Sequence, residues 1–290
     1  MTRRIVHYDA SVIGVAELRR LLQERGLAPR TSLGQNFLID ANLVRKLVDA
    51  SGAGAEDLVL EVGPGAGALT EELLDRGCRV VACELDEGLA DLLDDRFAER
   101  GAKFQLIRGD CLANKHTLNA DVATALGDER FRLIANLPYN VASPLMLTLL
   151  LKHPTCESLW VTIQKEVADR IMAAPGGRDY GELSVMAQAM AETQRIATVP
   201  PSCFWPAPKV TSAMIGLVRR RAPLTQAPAA LQAITHRLFT QRRKQLGSIL
   251  KNEMRDKAWP GDVEPAMRPE QLSIAQLDAL ARVVAGVDSK

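Results

Sequence analysis

The sequence predicts a doubly wound α/β domain on a mostly parallel sheet, followed by a small helical C-terminal domain. Three observations carry this expectation. Apolar runs of strand length alternate with helical patterns from Leu58 onward, an order that gives a parallel sheet with crossover helices. A glycine turn, Gly63-Pro64-Gly65-Ala66-Gly67, joins the first run directly to its helical pattern. The stretch from Pro223 to Pro228 reads as a linker, and beyond it the pattern is helical apart from a break at Trp259-Pro260-Gly261.

Taken in order, Val12 to Arg25 forms a helical lead that ends near Gly26 and Pro29. Asp40 is placed to cap a helix reaching Ala50. Leu58 to Val62 is the first strand and Leu69 to Leu74 its helix. Further strands fall at Arg79 to Cys83, Phe104 to Arg108, Arg132 to Ala135, Leu159 to Gln164 and Ser212 to Val218. Helices at Ser143 to Leu151 and Lys165 to Met172 intervene, and Ala174 to Asp179 is a turn-rich loop assigned to the substrate side. The chain thus divides into an extension and helix over 1–30, a core domain over 31–218 and a basic helical domain over 219–290.

With 290 residues, 47% of them apolar, the chain can bury a substantial core. Its longest mainly apolar run, Leu145 to Leu151, is far short of the roughly 20 residues of a membrane helix. The N-terminus lacks the apolar core of a signal peptide, so a cytoplasmic location and no membrane partner are expected. Cys78, Cys83, Cys111, Cys156 and Cys203 show no metal-type spacing and read as reduced, mostly buried thiols. His7, His116, His153 and His236 lie far apart, so no metal site is expected. A monomer is the simple expectation for the oligomeric state.

The net charge of +1 hides a split. Residues 211–290 hold 13 Lys/Arg against 7 Asp/Glu, a balance of +6, and residues 1–210 hold 23 against 28. The basic clusters are Arg219-Arg220-Arg221 and the run from Arg237 through Arg242-Arg243-Lys244 to Lys251. Each reads either as a solvated face or as a track for nucleic-acid phosphates.

Chemistry concentrates at the strand ends. After the glycine turn and one further strand comes Glu84, 21 residues beyond Gly63, a spacing suited to gripping ribose hydroxyls. Asp110 ends the next strand, where a base amino group can be bonded, and the two acids mark one crevice or stand as two solvated strand ends. The turn meets the dinucleotide fingerprint only loosely, with Ala68 at the third position, and Pro64 removes one amide. A nucleoside without a pyrophosphate suits it better, and a nicotinamide-dependent dehydrogenase stays as an alternative. Asn136-Leu137-Pro138-Tyr139 closes a strand. The Asn136 side-chain oxygen and the Leu137 carbonyl, left free by Pro138, can accept from an exocyclic amine and free its lone pair for alkylation. Tyr139 offers a ring on which a base can stack.

Those residues, together with Leu33-Gly34-Gln35-Asn36-Phe37-Leu38, Glu61 to Gly65, Glu84-Leu85-Asp86, Gln164 to Val167, Tyr180 to Ser184 and Phe204 to Val210, resemble the ribosomal small-subunit RNA adenine N6,N6-dimethyltransferases, in order from about Leu21 to Ala285. The resemblance implies a Rossmann-like class I methyltransferase domain with a seven-stranded sheet whose last strand is antiparallel. It implies S-adenosyl-L-methionine as donor, with Gly63 and Gly65 at its methionine part, Glu84 at the ribose and Asp110 at the adenine, and Asn36, Leu38 and Asn136 lining the same pocket. Asn136, Leu137, Pro138 and Tyr139 then hold the target, with Phe204 either the second face of a base sandwich or a core residue. It implies as substrate two adjacent adenines in a hairpin near the 3′ end of small-subunit (16S) RNA in a pre-30S particle, with Arg219, Arg220, Arg221, Arg242, Arg243 and Lys244 on RNA. Macrolide-resistance methylases of large-subunit RNA share the architecture and are the nearest rival. Gln241-Arg242-Arg243-Lys244 on a late helix and the Arg268 to Ser273 tail favour the small-subunit enzymes. A noncatalytic assembly or transcription factor on the same fold is weakened by the complete Asn-Leu-Pro-Tyr and both acids.

Overall fold

All five residues of the strand Leu58–Val62 are buried, as a central parallel strand covered by helices on both faces requires. The computed structural model describes residues 14–286; the first part of the expected extension, with Val12 and Ile13 of the expected N-terminal helix, lies outside them. In chain order the first half comprises α1 (Val15–Glu24), β1 (Phe37–Leu38), α2 (Ala41–Ser51), β2 (Leu58–Val62), α3 (Ala68–Asp75), β3 (Arg79–Glu84), α4 (Glu87–Phe97), β4 (Phe104–Arg108), β5 (Leu112–Asn114), β6 (Thr117–Leu118), α5 (Ala120–Leu126) and β7 (Phe131–Asn136). There follow α6 (Ala142–Lys152), β8 (Cys156–Gln164), α7 (Lys165–Ile171), α8 (Glu182–Met190), β9 (Ala191–Val199), β10 (Phe204–Trp205), β11 (Ser212–Arg219), α9 (Pro228–Thr240), α10 (Leu246–Ile249) and α11 (Ile274–Ala285).

Seven strands form one sheet in the order β4-β3-β2-β7-β8-β11-β9. Neighbours run parallel except β11, which is antiparallel to both β8 and β9. The chain winds outward from β2 through β3 to β4, then returns to place β7 on the other side of β2. That reversal leaves a crevice beyond the carboxyl ends of β2 and β7, where ligands of such sheets bind. The glycine turn follows β2 and Asn136 ends β7, so topology alone brings the two motifs together.

Asp40 accepts from the Asn42 and Leu43 amides and fixes the start of α2, and Asp86 does the same for α4 with Gly88 and Leu89. Separate apolar layers cover the two faces of the sheet: one includes Leu133, Leu145 and Leu149, the other Leu47, Leu73 and Ile134. A further core joins Leu231, Leu238, Leu277 and Leu280 to Tyr180, Val185 and Met186. Packing of the C-terminal helices therefore begins on α8, earlier in the chain than residue 219.

Three features differ from the sequence expectation. Strand β9, Ala-Glu-Thr-Gln-Arg-Ile-Ala-Thr-Val, is too polar to read as a sheet strand; it lies at the sheet edge, where one flank and much of its face meet water. Residues between α10 and α11 are turns with one 3₁₀ segment rather than helix. Pro260, Pro265 and Pro269 each remove an amide from any helical ladder there, and Leu246 and Gly247 donate instead to the carbonyls of Met267 and Pro265. Gln241 to Lys244 occupy the turn after α9, not a helix.

Candidate active site

The glycine turn is built by close approach. Gly63 and Gly65 sit at φ +71° and +61°, a region costly for residues with a Cβ. An added Cβ at Gly63 would meet the Pro138 ring at 3.1 Å, and one at Gly65 the Phe37 ring at 2.9 Å. The turn thus presses on both Asn-Leu-Pro-Tyr and Gln-Asn-Phe-Leu. Its amides are already bonded: Gly63 donates to the Cys83 carbonyl at 3.0 Å, Gly67 to the Pro64 carbonyl at 2.9 Å and Gly65 to Glu84 Oε2 at 3.2 Å. A pyrophosphate would find none of these three amides free.

Glu84 ends β3 nearly buried, and its Oε1 accepts the Asp86 amide at 2.9 Å. Burial raises its pKa. Each carboxylate oxygen keeps a lone pair for a ligand hydroxyl. Asp110, exposed after β4, accepts the Leu112 amide at 2.9 Å. Both acids, with Leu85, Cys83 and Cys111, line a cavity of about 300 Å³. Leu85 is a half-exposed apolar side chain, an available flat contact for a base. Burial pushes the Cys83 thiol up to about 12 and Cys111 also well up, so both act as protonated apolar packing.

Gly63 and Pro138 separate this cavity from a smaller one of about 80 Å³, lined by Asn36, Leu38, Glu61, Gly65, Asn136 and Tyr139 among others. Asn136 Nδ2 donates to the Asn36 carbonyl at 3.0 Å. With its amino side so fixed, the side-chain oxygen is turned to the other direction. The Leu137 amide donates to the Thr162 carbonyl at 3.1 Å, and Pro138 accepts from Val141 at 3.1 Å. Among the described residues nothing donates to the Leu137 carbonyl. The Tyr139 hydroxyl lies 2.9 Å from Ser212 Oγ.

Two groups at this site were not singled out in the sequence. Glu61, buried within β2, accepts from Thr70 Oγ1 at 2.7 Å. Burial, partly offset by that bond and reinforced by the charge of Glu84, raises its pKa to about 8. The one available signal was an acid inside an otherwise apolar strand. Leu18 of α1 also reaches the smaller cavity, and the segment after α1 is held by Arg30 and Gln35, each 3.2 Å from Asp86.

Several expected roles need correction. Phe204 pairs across from Leu38 in the β1–β10 ladder and points into the core, 3% exposed, with Ile134, Trp160 and Met214 for neighbours. It lines neither cavity, a placement that favours its core reading over the base sandwich. Arg219 is half-buried and donates to the carbonyls of Leu149, Leu150, His153 and Cys156 at 2.7–3.0 Å, closing the C-terminus of α6. Arg220 bonds the Gln188 carbonyl and Glu192. Arg242 donates to the carbonyls of Arg178 and Gly177 at 2.6 and 2.9 Å, tying the 174–179 loop to the C-terminal helices. These three guanidinium groups are engaged with protein, whereas Arg221, Arg243 and Lys244 are exposed. Arg219→Ala would leave four carbonyls without their charged donor, and a loss of about 2–4 kcal/mol is expected in urea unfolding. A stability within about 0.5 kcal/mol of wild type, the range of an ordinary surface substitution, would count against the cap.

Among the described residues no helix is long and apolar enough to cross a membrane, and no group of three or more His, Cys, Asp or Glu is placed to hold a metal. A profile of the family described as ribosomal RNA adenine dimethylase matches residues 26–285. The chain belongs to this family. Similar curated proteins carry the name ribosomal RNA small subunit methyltransferase A: that of Clostridium perfringens is 39% identical over 95% of this chain and 98% of its own. The one from Streptomyces griseus is 37% identical over 93% of this chain and 94% of its own. Among solved structures, a dimethyladenosine transferase from Plasmodium falciparum gives a TM-score of 0.66 at 22% identity, covering 82% of this chain and 94% of that one. The 23S rRNA methyltransferase ErmE gives 0.63 at 24% identity, covering 86% and 100%. Likeness at that level speaks for the fold, a Rossmann-like class I methyltransferase domain, and this dimethylase has the seven-stranded sheet with one antiparallel strand that the resemblance implied.

Proposed function

We propose that this dimethylase transfers two methyl groups from S-adenosyl-L-methionine to the N6 nitrogen of each of two adjacent adenines in a hairpin near the 3′ end of small-subunit ribosomal RNA. It would act as a monomer on a pre-30S particle in the cytoplasm. The observation that supports the reading is that the cavity of the strand-end acids, suited to a nucleoside, adjoins across Gly63 and Pro138 the one lined by Asn136 and Leu137. The Asn136 side-chain oxygen and the Leu137 carbonyl accept no hydrogen bond from the described residues.

The donor fits the residues present. The larger cavity offers Glu84 for ribose hydroxyls, Asp110 for an adenine amino group and Leu85 for the ring. Gly63, Asn36 and Leu38 would border the methionine part, since all three line the smaller cavity. When bound, S-adenosyl-L-methionine supplies a methyl group already activated on a sulfonium sulfur. The chain's own task is then alignment and exclusion of water. Asn136 Oδ1 and the Leu137 carbonyl accept the two N–H groups of the target amine, drawing the nitrogen out of conjugation with its ring. Tyr139 supplies the stacking face. No protein base is needed, because the amine becomes acidic as its new N–C bond forms and its proton passes to water.

Incubation with tritiated-methyl donor and unmethylated small subunits tests the proposal, with label expected in N6,N6-dimethyladenine of small-subunit RNA. Label in large-subunit RNA, or binding without label, would overturn it. For RNA contact, Arg243→Glu with Lys244→Glu is expected to weaken subunit binding and to flatten the slope of log K against log salt by about 2. An unchanged slope would take the turn after α9 out of the RNA interface.

A further inference from the structure

Tyr139 lies in the irregular segment between β7 and α6, so no strand or helix fixes the direction of its ring. Ser212, by contrast, is fully buried as the first residue of β11, and that strand is paired on both sides, with Gln164 of β8 and Val199 of β9 opposite this position. Their hydroxyls meet at 2.9 Å. One end of the ring is thereby anchored to a strand paired on both sides, while the ring still borders the cavity that holds Asn136. Burial raises the Tyr139 pKa and the Ser212 contact opposes that rise, as a hydrogen bond to the phenol oxygen would.

We infer that Ser212 is a positioning residue: through the Tyr139 hydroxyl it sets the plane of the stacking ring and so the placement of the adenine amine for its second methylation. This rests on the reading of Tyr139 as the stacking face. An unmodified adenine amine has two N–H groups and can satisfy both Asn136 Oδ1 and the Leu137 carbonyl. In the first transfer the N–C bond forms, the S–C bond breaks with its electron pair kept by sulfur, and one N–H proton leaves to water. The monomethylated amine has one N–H left and can satisfy just one of the two acceptors. Its orientation then depends more on the plane of the base, which the ring controls.

The test compares Ser212→Ala, Tyr139→Phe and the double variant, reading the ratio of N6-monomethyladenine to N6,N6-dimethyladenine by mass spectrometry at matched first-methyl turnover. Each single variant is expected to raise the ratio by about three- to tenfold, the worth of one neutral hydrogen bond, and the double variant no further. A donor-free readout accompanies it: 2-aminopurine at the target position should be quenched less by either variant than by wild type. Tyr139→Phe leaves Ser212 in the core, so an effect of Ser212→Ala on folding alone would not be reproduced by it. Unchanged ratios in both single variants, or additive effects in the double variant, would overturn the tether. If Tyr139→Ala also left quenching and turnover at wild-type levels, the stacking assignment itself would fall.

Discussion

Asn136→Ala is expected to lower kcat by about 10²–10³-fold, the cost of removing one preoriented polar group from a catalytic site, while donor affinity stays within several-fold. The asymmetry follows from geometry. The Asn136 amino group is tied to the Asn36 carbonyl at 3.0 Å, which directs the oxygen away from the Gln-Asn-Phe-Leu segment. That oxygen is assigned to the target amine in the proposed function, and the nucleoside part of the donor to Glu84 and Asp110 in the neighbouring cavity. Calorimetric titration of donor into the free variant separates the two effects from loss of the Asn36 contact, which would weaken both. Turnover at the wild-type level would refute the assigned role of Asn136.

The parts of this site that were legible in the sequence are those whose chemistry is local. A glycine turn after an apolar strand, an acid at each following strand end and a proline that stops a ladder all state their geometry within a few residues. Topology then needed only the alternation of strands and helices to place Gly63 beside Asn136. What stayed hidden depends on contacts between distant segments. Phe204 reads equally as a stacking ring or a core ring until its pairing with Leu38 is known, and that pairing turns it inward. Arg219, Arg220 and Arg242 read as RNA ligands because a cation pattern does not reveal which carbonyls lie nearby. Ser212 carried no signal at all, since its partner is 73 positions away. The polar edge strand β9 escaped notice because an edge position relaxes the apolar pattern by which strands are recognised.

Glu61→Gln is expected to stabilise the protein near pH 8 and to have little effect near pH 4. Burial holds the Glu61 pKa at about 8 against an ordinary value of 4.5. Below the ordinary value both folded and unfolded chains keep the proton, and the residue contributes no pH dependence. Between 4.5 and about 8 the unfolded chain sheds it while the fold retains it, so wild-type stability falls as pH rises through that window and levels off above it. The loss is on the order of a few kcal/mol. Glutamine is neutral throughout and can still accept from Thr70, so its urea midpoint should stay level where that of wild type declines. The carboxyl also borders the cavity of Asn136 and Gly63, where a cationic ligand would favour its ionised form. Donor binding to wild type should therefore tighten towards about pH 8, and binding to Glu61→Gln should change less. Level wild-type stability over the same window would mean that Glu61 is ionised in the fold, with Thr70 and the surrounding dipoles sufficient to hold its charge beside Glu84.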